Sequence, residues 1–304
     1  MAKSSLDRRF DRILAAEEAG QFASRNGSRA LRKLLANHLA VIGLLIFGII
    51  LFASIFAPLL TGHDPLKINL RAILQPPSAE HWFGTDTTGR DVFARVLYGG
   101  RVSILVGLGS ALIAAVIGVG IGCYAGYKGG WVDVIAMRVS EIFMSFPQII
   151  LVLLLVSIIG QSLFNLMVIF VASGWGTMFR MARARMLSLR EEEYVQALRS
   201  FGLSTPRICY KHILPNALGP IMVNITLTTA MFILAEAGLS FLGLGVPLNI
   251  PTWGNILNVA QDLRVLQNNW WMWLPVGLVI SLFVLSVNFI GDGLRDSTDP
   301  AQQG

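Results

Sequence analysis

The sequence is short of charge. Only 14% of its 304 residues are Asp, Glu, Lys or Arg, while 54% are hydrophobic. Soluble domains average roughly 25% charged residues, so this chain lacks what a water-facing surface needs. Cysteine is scarce too: Cys123 lies in an apolar run and Cys209 in a basic stretch, which gives no disulfide framework. None of the five lysines follows a glycine, so the phosphate-cradling loop GxxxxGK[ST] is missing and ATP hydrolysis by this chain is not expected. No serine stands in a GxSxG elbow. The four histidines, His38, His63, His81 and His212, are scattered without metal-ligand spacing, so no metal site and no bound cofactor are expected. No repeat of fixed period appears, and each polar segment is too short for an independent core. Enzyme readings find no support.

What is present is a series of long apolar runs. A bilayer core takes about 20 apolar residues in helical form, because backbone groups cannot stay unpaired in lipid. Leu39–Leu60, Ser103–Tyr127, Ile142–Ile159, Leu163–Phe179, Ala217–Ala235 and Trp271–Ile290 predict six transmembrane helices in an all-α bundle. Pro147 marks a kink or the start of the third span. Gly107, Gly109, Gly118, Gly120, Gly122 and Gly126 suit the second to close helix packing. Trp270, Trp271 and Trp273 read as an interfacial belt.

Six spans put both termini on one side of the membrane. Placing them inside leaves 18 of the 24 basic residues cytoplasmic, so the net charge of +6 reads as topology rather than affinity for nucleic acid. The expected layout is a cytoplasmic segment 1–38, a membrane domain 39–290 and a cytoplasmic tail 291–304, with an outer loop 61–102 and an inner loop 180–216. The polar stretch before the first span is too long for a signal peptide. Its Arg8, Arg9, Arg12, Leu14 and Phe22 fit either an interfacial amphipathic helix or a solvated tail.

The inner loop carries the most shape information. Ser188 and Glu191 have capping-box spacing, predicting a helix start there. Tyr194, Leu198 and Phe201 share one helical face, opposite Glu192, Gln196 and Arg199, with Val195 at the boundary. Gly202 suits a positive-φ stop. Thr205 as cap and Pro206 at the first position start a second helix, expected to end before Pro215. Such an elbow fits an amphipathic loop lying on headgroups, or a rigid knob inserted into a soluble partner.

The run from Glu193 to Asn216 resembles the EAA loop of binding-protein-dependent ABC importer permeases. That pattern is EAA, three residues, Gly, nine residues, then I-x-L-P. Gln196-Ala197-Leu198 stands for EAA, Gly202 for the glycine and Leu214-Pro215 for the ending; Gln196, Leu198 and His212 depart from it. His81 to Arg95 is similar to the HxFGTDxxGRDxxxR signature of the peptide/nickel subfamily at every fixed position. Leu239–Gly245 with Pro251–Gly254, and Gly291–Asp296 with Asp299-Pro300, resemble further stretches of that subfamily.

The resemblance implies a permease paired with a homologous permease, two cytoplasmic ATPase subunits that hold ATP and Mg, and an extracytoplasmic solute-binding protein. It implies the cytoplasmic membrane of a bacterium or archaeon, and di- or oligopeptides as substrate. Nickel chelates, glutathione, opines and oligosaccharides remain as alternatives; a secondary transporter or channel is the rival class. The ATPase contact would fall on Glu193, Tyr194, Ala197, Leu198, Phe201, Gly202, Leu203, Arg207, His212 and Pro215.

Elsewhere two readings stand side by side. Asp86, Arg90, Asp91 and Arg95 either cap and pin a helix leading into the second span, with Asp86 as the cap, or dock the binding protein. Trp253 is either an interfacial anchor or part of a gate or docking surface. Glu236, the one charge between Lys211 and Asp262, either contacts the translocation path or reaches the outer interface. Asn224 and Thr228 line that path or join helices.

Overall fold

The computed structural model describes residues 32–298. The amphipathic N-terminal reading and the Asp299-Pro300 ending lie outside the described residues. Apart from a single bridge between Thr85 and Asp91, no strand forms among the described residues. The chain is helical, as the apolar runs require.

Helix α1 spans His38–Ile55, capped by Asn37, whose Oδ1 accepts from the amides of Leu39 and Ala40. Ile42, Leu45, Ile49 and Phe52 stay exposed along one side, as a lipid-facing stripe does. Helix α2 runs over Val92–Lys128, with a wide π turn at Leu105–Gly109. It starts eleven residues before the expected Ser103, because Asp91 caps it and its first turns bury Val92, Ala94 and Val96. The outer loop is correspondingly shorter.

The third span is not a straight rod at Ile142–Ile159. Helices α3 (Gly130–Met144) and α4 (Gln148–Ile159) meet at 85° across Ser145–Pro147. Pro147 has no amide proton to continue the first helix, and its extended ψ of 126° redirects the chain. Alone, α4 rises about 18 Å, well short of a bilayer core. The structure thus offers five helices long and apolar enough to span, or six with the bent pair counted once.

Helix α5 (Leu163–Leu189) and α6 (Glu193–Ser200) follow, then α7 (Thr205–Phe241), α8 (Trp253–Leu257), α9 (Leu263–Asn268) and α10 (Leu274–Thr298). Helix α5 exceeds the expected Leu163–Phe179 by ten residues, so much of the inner loop is helix. Glycines bring α2 against α5. A Cβ on Gly118, Gly122 or Gly126 would come within 2.4, 2.5 and 2.9 Å of the carbonyls of Trp175, Phe179 and Arg183. That four-residue stripe is the small-residue packing membrane helices use. Gly120 faces open space and takes no part.

Three apolar clusters fill the bundle from one end to the other. The first joins Val92, Val96, Trp253 and Phe283. The second stacks Phe170 on Phe232 at 4.8 Å. The third gathers Cys123, Met186, Val195, Ile208 and Ile213. Both cysteines are free and buried.

Candidate functional site

The elbow between α5 and α7 is built from local chemistry. Ser188 starts nothing, since α5 continues through it to Leu189. The elbow helix α6 begins at Glu193 with Glu192 in the capping position, and Glu191 pairs with Arg190. The stop is a Schellman motif. The amide of Leu203 donates to Leu198 O at 3.3 Å, and that of Gly202 to Arg199 O at 3.0 Å. Gly202 has a φ of 77° with nothing near its absent Cβ, so only the backbone demands glycine there.

The next helix starts one residue earlier than its sequence suggests: Ser204 is the cap and Thr205 the first helical residue. It also does not end before Pro215. Ile208–Ile213 form a π turn in which Leu214 N reaches back five residues to Cys209 O. That wider turn takes up the disturbance from Pro215, which has no amide proton to give, and the helix passes on to Phe241. Elbow and fifth span are therefore one continuous element.

Val195, expected at a boundary, is the anchor. It is 1% exposed, packed among Met186, Ile208 and Ile213, with Leu198 and Leu203 half-buried beside it. Tyr194 and Phe201, the residues expected on the apolar face, instead point outward at 39% and 64% exposure. Glu193, Ala197, Arg207 and Pro215 are exposed as well, and His212 is half-buried. Polar ties hold the elbow to its neighbours. Tyr210 OH donates to Gly120 O at 2.9 Å, and Asn216 Nδ2 to Tyr194 OH at 3.3 Å. Nearby, Arg183 grips Asp133 with two N–H groups, joining α5 to α3.

At the other end of the bundle the expected docking residues are mostly buried. Asp86 does not cap a helix; Asp91 does, its Oδ1 accepting from Ala94 N at 2.6 Å. Asp86 organises the loop instead. Its carboxylate accepts from the Thr88 amide and hydroxyl, the Arg90 amide and Nε, and the Arg95 guanidinium. Burial pushes this carboxyl up, but Arg95 beside it and the Arg90 and Thr88 donors outweigh that and hold it below its ordinary value. Asp86, Asp91 and Arg95 are 2–4% exposed and only Arg90 keeps a partly open side chain. The pinning role fits this burial; a docking surface made of these side chains does not.

Trp253 is likewise 1% exposed, neither an interfacial anchor nor a surface. Its Nε1 donates to Val96 O at 3.1 Å and its ring meets Phe283 edge-on at 5.4 Å. Glu236 is fully buried rather than at the interface. Ser103 Oγ and Ser240 Oγ donate to it at 3.0 and 2.8 Å, and the Thr252 hydroxyl reaches it as well. Ser103 Oγ also accepts from Trp253 N at 3.1 Å, and Ser240 Oγ from Val246 N at 3.3 Å. The carboxylate thus fastens the segment after α7 onto α2. In sequence only its isolation within an apolar stretch marked it; Ser103, 133 positions away, carried no signal. Asn224 and Thr228 are half-buried on α7, joined at 3.4 Å.

Long apolar helices crossing as a bundle, a bent helix pair and an elbow hung between two spans make this a multi-pass membrane protein. The chain belongs to the binding-protein-dependent transport system inner membrane component family, which matches residues 118–303. Residues 26–77 match the N-terminal TM domain of oligopeptide transport permease C.

Its relatives agree. A putative peptide permease protein of Brucella suis biovar 1 (strain 1330) is 44% identical over 273 residues, covering 90% of each chain. The dipeptide transport system permease protein DppC of Alkalihalophilus pseudofirmus is 42% identical, covering 89% of this chain and 88% of that one. The oligopeptide transport system permease protein OppC of Bacillus subtilis (strain 168) is 39% identical, with the same shares covered. Among solved structures, a chain of the MetNI methionine ABC transporter in inward-facing conformations shares the fold. Its TM-score is 0.52 at 20% identity, over 67% of this chain and 96% of that one.

Proposed function

We propose that this chain is one permease subunit of an ATP-driven importer of di- or oligopeptides, lying in a bacterial or archaeal cytoplasmic membrane with both termini inside. It pairs with a homologous permease. A solute-binding protein delivers substrate from outside, and two cytoplasmic ATPase subunits supply ATP and Mg. The chain itself hydrolyses nothing. Family membership and the peptide-permease relatives support the substrate class. The excess of basic residues on the elbow side supports the orientation.

One observation carries the mechanism: α6 and the start of α7 form a Schellman-closed elbow, fixed from behind by Val195 and presenting Tyr194 and Phe201 outward. Exposed aromatics on a rigid support are the usual energetic centre of a protein interface. The elbow inserts into an ATPase subunit through Glu193, Tyr194, Ala197, Leu198, Phe201, Gly202, Leu203, Arg207, His212 and Pro215. ATPase closure then moves the elbow, and α7 carries that movement into the membrane. Asn224 and Thr228 face the translocation path; Glu236 holds that helix's outer end.

The test is Gly202→Val in the assembled complex, with peptide uptake and ATPase activity measured together. A β-branched residue at this φ costs roughly 1–2 kcal/mol of local backbone strain, so the elbow loses its shape while the bundle stays. ATP turnover should then persist without matching uptake. Uptake per ATP equal to wild type would sink the reading.

A further inference from the structure

Three side chains distant in sequence meet at the end of the bundle opposite the elbow, and the transport reading gives them no task. His63 is half-buried; His81 and Asp91 are buried. Each offers one ligand atom, and these atoms all lie within 4.8 Å of one another. The two imidazole rings are 4.9 Å apart. Each group is held by its own backbone. His63 N donates to Thr61 Oγ1 at 3.2 Å. His81 N donates to Ser78 Oγ at 3.0 Å, while His81 O accepts from Ser78 N and Gly84 N, both at 2.8 Å. Asp91 is fixed as the cap of α2, which leaves its Oδ2 for His81 Nδ1 at 2.8 Å. A cavity of about 230 Å³, lined by Thr61, His63, Glu80, Asp91 and Phe93 among others, opens on the cluster.

We propose that His63, His81 and Asp91 form a binding site for a divalent transition-metal cation of the Zn²⁺ class. Two imidazoles and one carboxylate make a nitrogen-rich donor set. Calcium and magnesium, which take six or more oxygens, do not suit it. Three protein ligands leave a fourth tetrahedral position, and here that position faces the cavity. Zinc–nitrogen bonds of about 2.0–2.1 Å put tetrahedral ligand atoms roughly 3.3 Å apart, so the widest separation must close by at most about 1.5 Å while His81 Nδ1 and Asp91 Oδ2 open by about 0.5 Å. The His63 ring supplies that movement by leaving its 3.0 Å contact with Glu80 O. The cation takes the place of the proton between His81 Nδ1 and Asp91 Oδ2, and that proton goes to solvent. Bound there, the metal ties the linker after α1 to the first turn of α2.

The test uses the full-length chain, purified in detergent through a tag without histidine, stripped with chelator and titrated with Zn²⁺, with Co²⁺ as the spectroscopic probe. One Zn²⁺ per chain is expected, together with visible absorption bands of tetrahedral Co²⁺. His63→Ala should weaken binding about 100-fold or more. His63→Gln should do likewise, and both should keep the helical circular dichroism of wild type. His38→Ala, at an exposed residue remote from the cluster, should bind as wild type does. An absence of saturable Zn²⁺ binding by wild type overturns the proposal whatever the variants do. So does one-to-one binding that survives either His63 substitution.

Discussion

The two ends of the bundle are held together by different means. Opposite the elbow, Asp86, Asp91, Arg95 and Glu236 are buried, and each carboxylate is met by at least two donors. At the elbow, Glu192, Glu193, Arg199, Arg207 and Lys211 are exposed, and apolar anchors such as Val195 and Ile208 do the holding. The first end closes its loop on these buried pairs, although Asp64, Lys67, Arg71 and Glu80 lie exposed on it. The second presents charges and two aromatics outward. The proposed docking of an ATPase subunit at the elbow calls for this division, stiff at one end and open at the other.

Breaking the closed end should cost most. Arg95→Met leaves Asp86 buried with Arg90 and Thr88 still donating to it but one guanidinium fewer, a loss of up to the about 3–5 kcal/mol of a broken buried pair. Thermal unfolding of the purified chain should show it as a large drop in midpoint. Arg199→Met at the elbow should stay within about 0.5 kcal/mol of wild type, as surface exchanges do. Equal losses at the two positions would erase the contrast.

A second pair sharpens the comparison within the elbow. Val195→Ala removes two buried methyl groups, a loss of roughly 1.5–2 kcal/mol at about 0.8 kcal/mol per group, and should lower stability and coupling together. Phe201→Ala should move the unfolding midpoint less than Val195→Ala does, while uptake per ATP falls. If both variants change only stability, the outward face has no partner.

The smallest effect concerns acid. Asp86 titrates below its ordinary value of 3.8 in the folded chain. Its stabilising contribution is therefore fully present above that value and lost as pH falls through the lower folded one. Unfolding midpoints taken between pH 6 and pH 3 should stay level until about pH 4 and then decline. Arg95→Met should flatten that acid limb, because Arg95 is the main opponent of burial at Asp86.

What could be read from the sequence was local. Gly202, Pro206 and the spacing between them announce a helix, a stop and a new start, because the turn's hydrogen bonds join residues five or fewer apart. The apolar runs announced the bundle for the same reason. Pairings across the chain left no comparable mark. Nothing near Glu236 points to Ser103, and nothing near Val195 points to Met186 or Ile213. Span ends differ where arginines interrupt the apolar run but the helix continues past them, burying Val92, Ala94 and Val96 at one end of α2 and Ala182 and Met186 near the end of α5. Pro215 misled because a π turn accommodates it, and no residue type announces a π turn.

The unbroken course of α7 from Thr205 to Phe241 has a mechanical consequence. Thr205 and Glu236 lie about 46 Å apart along a helix rising 1.5 Å per residue. With the Glu236 end fastened to α2, that length acts as a lever arm whose fulcrum sits at the carboxylate. A tilt of about 5° there sweeps the elbow through about 4 Å over that length, roughly the width of a side chain. A movement too slight to disturb three hydroxyl contacts at one end is a full step at the other.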